Sequence, residues 1–200
     1  MDNEFLLIEK MLMDGNNRFI TNKLRSKEYL IELRTELYEN GQFPKAVVIT
    51  CSDSRVVPEF IFDVKLGELF VIRNAGNIVD ENVIGNVEFA VSHLNVNYIL
   101  ILAHEKCGAV AEVVEKIKIG EKLHGFIKPI GEIIKDKAFI AENLASRLEE
   151  ENAKEGVKKL LCSEMMSKLY NEKKIKIVAA KYFLKTGEVK ILRSNNASSR

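Results

Sequence analysis

Two short motifs in this chain carry side chains that bind transition metals and take part in acid–base chemistry. The first, Cys51-Ser52-Asp53-Ser54-Arg55, follows an apolar run, and the second, His104-Glu105-Lys106-Cys107, follows another. Thiolate sulfur and imidazole nitrogen are the ligands that zinc prefers in proteins. The motifs therefore predict a zinc site with an aspartate and an arginine beside it. Three protein ligands leave the fourth position of the zinc tetrahedron for water, which is typical of a catalytic site.

A simpler explanation competes with metal binding at each cysteine. A lone buried cysteine most often acts as a small apolar side chain, and we predict that role for Cys162, which lies inside a helical pattern with no partner motif. Cys51 and Cys107 differ, because each shares its turn with charged or imidazole groups that a plain apolar core excludes. Metal ligation is the preferred interpretation for these two. Three cysteines at irregular spacing also argue against a disulfide framework.

The other polar residues in and around the motifs admit more than one role. Asp53 and Arg55 are either a catalytic pair or a structural salt bridge that closes a turn, and their spacing alone does not separate the two. The neighbouring ligands favour the catalytic role. His93 and His124 have no second ligand type at metal spacing, so we predict a surface or core histidine and a loop residue, respectively.

The elements that position both motifs are predicted from apolar runs. Three runs are apolar on both faces, as buried parallel strands require: Ala46–Thr50, Leu69–Ile72 and Tyr98–Leu102. Helical patterns at Asn86–Leu94 and Ala109–Ile119 follow the second and third runs, which implies crossover connections and a parallel sheet. Reactive groups in such a sheet collect at the carboxyl ends of the strands, where both motifs lie.

The rest of the chain supplies further helices and a sheet edge. Apolar periodicity predicts helices over Phe5–Ile20 and about Lys27–Tyr38, and a charged helical region over about Glu132–Tyr170. We interpret the Lys/Glu-rich run Glu132–Lys176 as a solvated helix face. Two short strands, Ile175–Ala180 and Val189–Leu192, flank a turn and predict a hairpin. The fold class is therefore α/β, with a mainly parallel central β-sheet flanked by helices, an antiparallel edge strand and an N-terminal helical arm.

The composition argues against several classes of partner. The 200 residues fit one domain, residues 1–200, of which 46% are apolar and 30% charged. Thirty basic and 29 acidic residues give a net charge of +1 without a basic stripe, so we expect no nucleic-acid partner. The chain shows neither a basic leader nor an apolar run near the roughly 18 residues that a membrane span needs. We therefore expect a cytoplasmic protein with no membrane partner.

Four segments in order resemble the successive signatures of the β-class carbonic anhydrases. They are Val48–Val56, Gly67–Asn77, Glu88–Val91 and His104–Ala109. The resemblance implies that one zinc ion per subunit is bound by Cys51, His104 and Cys107. It also implies that Asp53 and Arg55 form a catalytic dyad.

Substrate binding and assembly are implied by the same resemblance. The plant-like subgroup of the family binds its substrate in a small pocket at a dimer interface, and the matching positions here are Gln42, Val56, Phe70, Ala75, Phe89 and Gly108. The other large subgroup binds regulatory bicarbonate with a set that includes a tryptophan. This chain has no tryptophan, which favours the plant-like subgroup. The family further implies a homodimer, often paired into a homotetramer, with the arm of residues 1–40 used in dimerisation.

The implied activity is zinc-dependent, reversible hydration of carbon dioxide to bicarbonate and a proton by attack of a zinc-bound hydroxide. Asp53 would accept a hydrogen bond from the hydroxide, and Arg55 would keep Asp53 ionised. Two other functions fit much of the same pattern. One is hydrolysis of carbon disulfide or carbonyl sulfide, which are equally linear and apolar; the other is a non-catalytic, zinc-stabilised dimer that binds bicarbonate. Gln42 and the intact dyad argue against the last.

Overall fold

A five-stranded sheet forms the centre of the protein, whose computed structural model describes residues 2–25, 30–135 and 143–193. The strands are β1 Ala46–Cys51, β2 Leu69–Asn74, β3 Tyr98–His104, β4 Lys176–Tyr182 and β5 Val189–Leu192. Their order across the sheet is β2-β1-β3-β4-β5. Strands β2, β1, β3 and β4 pair in parallel, and β5 runs antiparallel to β4. The predicted α/β class, parallel sheet and antiparallel edge strand are confirmed.

Helices occupy most of the chain between and around the strands. They are α1 Asp2–Ile20, α2 Leu30–Asn40, α3 Pro58–Ile61, α4 Glu81–His93, α5 Gly108–Lys118, α6 Lys128–Lys135, α7 Leu144–Leu160 and α8 Glu164–Asn171. Helix α4 begins earlier than predicted, because the Asp80 side chain accepts a hydrogen bond from Val83 N at 2.9 Å and caps its first turn. The predicted start of the second helix, Lys27, lies outside the described residues. Within the described ranges no helix combines the length and the apolar character that crossing a membrane requires.

Two apolar layers cover the two faces of the sheet. Val47 and Ile49 of β1 belong to the layer that includes α4, α7 and α8, whereas Val48 belongs to the layer that includes α1 and α3. Successive side chains of a strand face opposite sides, and β1 and β3 are buried along their whole length. A third apolar cluster surrounds Cys51 and Cys107 with residues of α5, α6 and α7. The carboxyl end of β1 therefore contacts a separate, mostly helical environment.

The two N-terminal helices differ in how they contact the sheet. Phe5 and Leu12 of α1 are buried in the layer that includes α3. Asn16 fastens α1 further, donating to the carbonyl oxygens of Ile61 at 3.2 Å and Gly187 at 2.7 Å. In contrast, no residue of α2 is buried. Helix α1 is thus part of the domain's own core, while α2 leaves its apolar side chains accessible.

Two predictions for the charged region after α5 are wrong. Cys162 is exposed and does not belong to the core. The helical periodicity continues in sequence past the end of α7, but the chain turns there, with Cys162 N bonded to Lys159 O at 3.1 Å. The solvated-face interpretation also fails for the inner side of α7, where Glu149 and Asn152 are buried. Instead of one long charged run, the described residues form the separate helices α6, α7 and α8.

Replacement of Gly15 by alanine is expected to destabilise the protein by about 1–3 kcal/mol or more. Gly15 is buried within α1, where an added Cβ would overlap the carbonyl oxygen of Phe62. Gly85 provides a matched control, because it lies exposed within α4 with nothing near an added Cβ. Gly85→Ala is expected to stabilise the protein by about 0.5–1 kcal/mol. Urea unfolding of both variants measures the difference, and equal stabilities would contradict the close packing of Gly15 against Phe62.

Candidate metal centre and active site

Three potential metal ligands meet at the carboxyl ends of two neighbouring strands. Cys51 is the last residue of β1 and His104 the last residue of β3, and these strands pair in parallel. Cys107 follows a tight turn in which Lys106 adopts a φ of 55°. The ligand atoms of all three residues lie within 4.8 Å of one another, and all three residues are buried. The structure thus brings together the residues that the two sequence motifs singled out.

One ring nitrogen of His104 is free to bind a metal. Nδ1 lies 2.9 Å from the carbonyl oxygen of Glu105. Because a carbonyl oxygen only accepts, Nδ1 carries the proton and Nε2 presents a lone pair. Nε2 is buried and has no hydrogen-bond partner among the described residues. A buried, unpartnered imidazole nitrogen beside two thiols fits zinc, and the Nδ1 hydrogen bond is the kind that orients a metal-bound histidine.

The two thiols shift each other's pKa in opposite directions. The adjacent Cys107 thiol and His104 ring, together with a hydrogen bond from Gly76 N at 3.2 Å, lower the pKa of Cys51 to about 4 despite burial. The hydrogen bond to Cys51, together with burial, raises the pKa of Cys107 well above its ordinary value. Burial opposes protonation of His104, but the adjacent Cys51 sulfur and its charge outweigh burial and raise the pKa of His104. A divalent cation would bind Cys51 and Cys107 as thiolates and His104 as a neutral imidazole.

An ion pair lies directly after the first ligand. Arg55 donates from Nε to Asp53 Oδ1 at 2.9 Å and from Nη2 to Asp53 Oδ2 at 2.7 Å. These hydrogen bonds hold the pKa of Asp53 well below its ordinary value. Arg55 also donates to Lys106 O at 3.3 Å, and Arg73 donates to Cys51 O at 3.2 Å and Asp53 O at 2.9 Å. Arg55 therefore links the two motif loops and Arg73 holds the first of them, with the carboxylate of Asp53 turned toward Arg55.

Two of the four predicted apolar pocket residues contact each other. The ring centroids of Phe70 and Phe89 lie 6.3 Å apart, and Phe89 stacks on His93 at 4.9 Å. Phe89 is 46% exposed, so its ring remains available to a molecule from outside. Val56 lies elsewhere: it is fully buried in the layer that includes α1 and α3. His93 is exposed near the end of α4, in agreement with a surface histidine.

The other predicted substrate-binding residues are exposed. Ala75 follows β2, and Gly108 begins α5 directly after Cys107. Gln42 lies on the exposed segment between α2 and β1. His124 is an exposed residue before a short 3-10 turn, as predicted for a loop residue.

Four polar residues that support the motif loops, directly or through a neighbour, were missed from the sequence. Arg73 lies in β2, Glu149 and Asn152 lie in α7, and Lys181 lies in β4. Arg73 and Lys181 carried a usable signal, because a basic residue that directly extends an apolar strand must either end the strand or find a partner in the protein. Lys181 is 1% exposed. Glu149 and Asn152 lie among many charged or polar residues that face solvent.

Comparison with known proteins places the chain in a family. The family profile described as carbonic anhydrase matches residues 46–189. The chain belongs to the carbonic anhydrase family. It is 39% identical over 142 residues to the carbonic anhydrase of Mycolicibacterium smegmatis, a segment covering 70% of this chain and 68% of the relative. It is 40% identical over 123 residues to carbonic anhydrase 2 of Mycobacterium tuberculosis, covering 62% of this chain and 59% of the relative.

The solved structures identify the β class of carbonic anhydrases. The β-carbonic anhydrase CafA of Aspergillus fumigatus superposes with a TM-score of 0.69 at 27% identity, covering 87% of this chain and 88% of the other. In this β-carbonic anhydrase the family match begins at the first residue of β1 and ends at the first residue of β5. It therefore encloses the parallel sheet and both metal-binding motifs, while α1 and α2 lie outside it.

Proposed function

We propose that this β-carbonic anhydrase catalyses the reversible hydration of carbon dioxide to bicarbonate and a proton, with one zinc ion per subunit held by Cys51, His104 and Cys107. The observation that carries the proposal is the buried cluster of these three residues, in which His104 Nε2 lacks a partner among the described residues. Zinc bound there supplies a Lewis acid that makes water nucleophilic near neutral pH. The chain contributes three ligands and leaves room for that water.

Asp53 and Arg55 are proposed to orient the attacking water. Asp53 is ionised and fixed by two hydrogen bonds from the Arg55 side chain. Its carboxylate can therefore accept a hydrogen bond from the attacking water without turning toward the metal ligands. Arg55 keeps the carboxylate charged, because neutralising Asp53 would remove a charge-assisted hydrogen bond. This arrangement supports the open, plant-like type of site. The absence of tryptophan from the sequence supports the same choice.

Carbon dioxide is proposed to bind beside the aromatic pair of Phe70 and Phe89. An apolar wall suits a linear, uncharged molecule, and a few polar groups then suffice to orient it. Gly108 N, at the start of α5, and the side chain of Gln42 are proposed to stabilise charge that develops on the substrate oxygens. Ala75 is proposed to support the pocket wall, whereas Val56 is buried in the layer of α1 and α3 and does not face it.

Stopped-flow CO₂ hydration by the zinc-loaded protein, from about pH 6.5 to 9, tests the proposed activity. We expect a rate that rises with pH, disappears when zinc is removed by a chelator and returns when zinc is restored. Parallel assays with carbon disulfide and carbonyl sulfide distinguish the alternative hydrolase. Turnover of a sulfur substrate without CO₂ hydration would contradict the proposal, and so would a fully zinc-loaded protein that is inactive on all three.

The N-terminal arm, residues 1–40, is proposed to pair two subunits into a homodimer. Helix α2 has no buried residue, and its Ile31 is 71% exposed, as is expected of a helix that covers a partner. The tetrameric assembly and the cytoplasmic location expected from the sequence stay predictions.

Ile31→Asp is expected to weaken the dimer about 10- to 100-fold, because the variant loses the burial of one large apolar side chain. Analytical ultracentrifugation over a concentration series measures the dissociation constant. Ile119→Asp is the matched control, because Ile119 is 62% exposed but follows α5, outside the arm. A dimer of unchanged affinity in Ile31→Asp would remove α2 from the interface.

A further inference from the structure

Helix α7 directs two buried polar side chains at the backbone next to the thiol ligands. Glu149 and Asn152 are 3% and 7% exposed. They are three residues apart, so they lie on the same face of the helix. Burial of an unpaired polar group is costly, and this inner face otherwise contributes apolar side chains and Gly156. Both residues are therefore expected to have a specific partner, and each has one beside a different cysteine.

Glu149 contacts the loop of the second cysteine. Its Oε1 accepts a hydrogen bond from the backbone N of Cys107 at 3.2 Å. The same loop is fixed at its other end, where Glu105 N donates to Tyr182 O of β4 at 2.8 Å. The segment that carries His104 and Cys107 is thus held by the sheet on one side and by α7 on the other.

Lys181 holds Glu149 in place from the neighbouring strand. Its Nζ lies 2.9 Å from Glu149 Oε2, in an ion pair whose two side chains are 1% and 3% exposed. Lys181 also donates to the carbonyl oxygen and the hydroxyl of Ser146, at 2.9 and 2.8 Å. A buried carboxylate without a cation would be strongly unfavourable. The ammonium group therefore gives the buried carboxyl group of Glu149 a charged partner.

Asn152 contacts the turn after β2 that donates a hydrogen bond to the first cysteine, Cys51. Its Nδ2 donates to Gly76 O at 2.7 Å, and Gly76 N in turn donates to Cys51 Sγ at 3.2 Å. Gly76 has a φ of 75°, and a Cβ there would lie 2.9 Å from Ile130 Cδ1. The backbone of Gly76 is therefore fixed by packing and by its hydrogen bonds with Asn152 and Cys51.

We propose that Glu149 and Asn152 are positioning residues for the zinc ligands, Glu149 for Cys107 and Asn152 for Cys51, and that Lys181 orients Glu149. This inference depends on the proposed zinc site. Partners that orient metal ligands typically change metal affinity 10- to 100-fold when they are removed.

Two double variants separate the hydrogen bond to Cys107 from the buried ion pair. E149M/K181M removes both, replacing the pair by apolar side chains of similar size, which buried sites often tolerate. E149Q/K181M removes the charges but keeps an oxygen that can accept from Cys107 N. N152L removes the donor to Gly76 O. E155Q/K158M is the control, because it removes an exposed ion pair, at 2.7 Å, from the same helix.

Zinc affinity is measured by competition with a chromophoric chelator, and ligand geometry by the visible absorption of the cobalt-substituted protein. Urea unfolding of the metal-free variants measures stability separately. We expect E149M/K181M and N152L to bind zinc about 10- to 100-fold more weakly than wild type and to show altered cobalt bands. We expect E149Q/K181M and E155Q/K158M to match wild type in both measurements.

Wild-type affinity and cobalt spectra in both E149M/K181M and N152L would overturn the inference. If E149M/K181M does not fold, E149L/K181M takes its place, and a zinc affinity equal to that of E149Q/K181M overturns the acceptor role of residue 149. If N152L does not fold, N152A takes its place and is compared with wild type in the same way. Failure of the proposed function looks different, because the wild-type protein itself would then bind no stoichiometric zinc or hydrate no CO₂.

Discussion

Cys107→Ser is expected to lose stoichiometric zinc and, with it, all CO₂ hydration above the uncatalysed rate. Cys107 is 2% exposed and supplies one of only three ligands in the cluster. A serine hydroxyl is a much poorer zinc ligand than a thiolate, because it stays protonated near neutral pH. Its burial without the metal also leaves a polar group in an apolar cluster. Metal analysis of the dialysed protein, together with stopped-flow hydration, measures both losses.

Cys162→Ser is the matched control for this variant. Cys162 is exposed in the turn between α7 and α8, so the same chemical change there is expected to leave zinc content and hydration rate unaltered. Thermal unfolding adds an independent measurement. Added zinc is expected to stabilise wild type and Cys162→Ser, but not Cys107→Ser, because a metal that binds only the folded chain shifts the unfolding equilibrium. One zinc per chain in Cys107→Ser would remove Cys107 from the ligand set.

Asp53→Asn is expected to keep its zinc and to lose hydration activity by about 10²-fold or more. Asparagine has nearly the same shape, but it has one acceptor oxygen instead of two and no charge to pair with Arg55. The attacking water would therefore lose its oriented acceptor, while the three metal ligands remain as they are. Zinc analysis and hydration kinetics on the same sample separate these two effects.

The pH dependence of Asp53→Asn gives a second readout. Hydrogen bonds from Arg55 hold the pKa of Asp53 far below neutral, so its carboxylate is ionised throughout the range of about pH 6.5 to 9. The rise in rate across that range must then come from another group. The hydration rate of Asp53→Asn is expected to rise with the same midpoint pH as in wild type but to reach a much lower maximum. Asp14→Asn, which alters an exposed ion pair with Lys10 on α1, is expected to change neither. Full activity in Asp53→Asn would leave the pair with only a structural role.

The sheet and the central site could be predicted from the sequence because both have strong local signals. Runs such as Tyr98–Leu102 are apolar on both faces, which few structures other than a buried parallel strand accommodate. Cys51 and His104 come at the ends of two such runs, and parallel strands bring their carboxyl ends to the same edge. Local pattern and topology therefore pointed to the same cluster.

Glu149 and Asn152 could not be predicted, because nothing local separates them from their neighbours. Glu149 is one of several consecutive acidic residues of α7, and only the packing of that helix decides which of them turns inward. Lys181 directly follows the predicted strand Ile175–Ala180, and its position between apolar residues was a signal that the strand prediction left out. For Cys162 the local pattern was misleading instead, because the apolar spacing of α7 continues in the sequence beyond the residue where that helix ends.

The separation of the ligands along the chain has a consequence for the order of folding. Cys51 and His104 become neighbours only when β1 pairs with β3, as in the hydrogen bond from Thr50 Oγ1 to Leu102 O, 52 residues away. Such long-range parallel pairing is slow, and the unfolded chain holds no preformed site. We therefore expect zinc to bind after the sheet has assembled. Its contribution is then to the lifetime of the native state, slowing unfolding while leaving the folding rate unchanged.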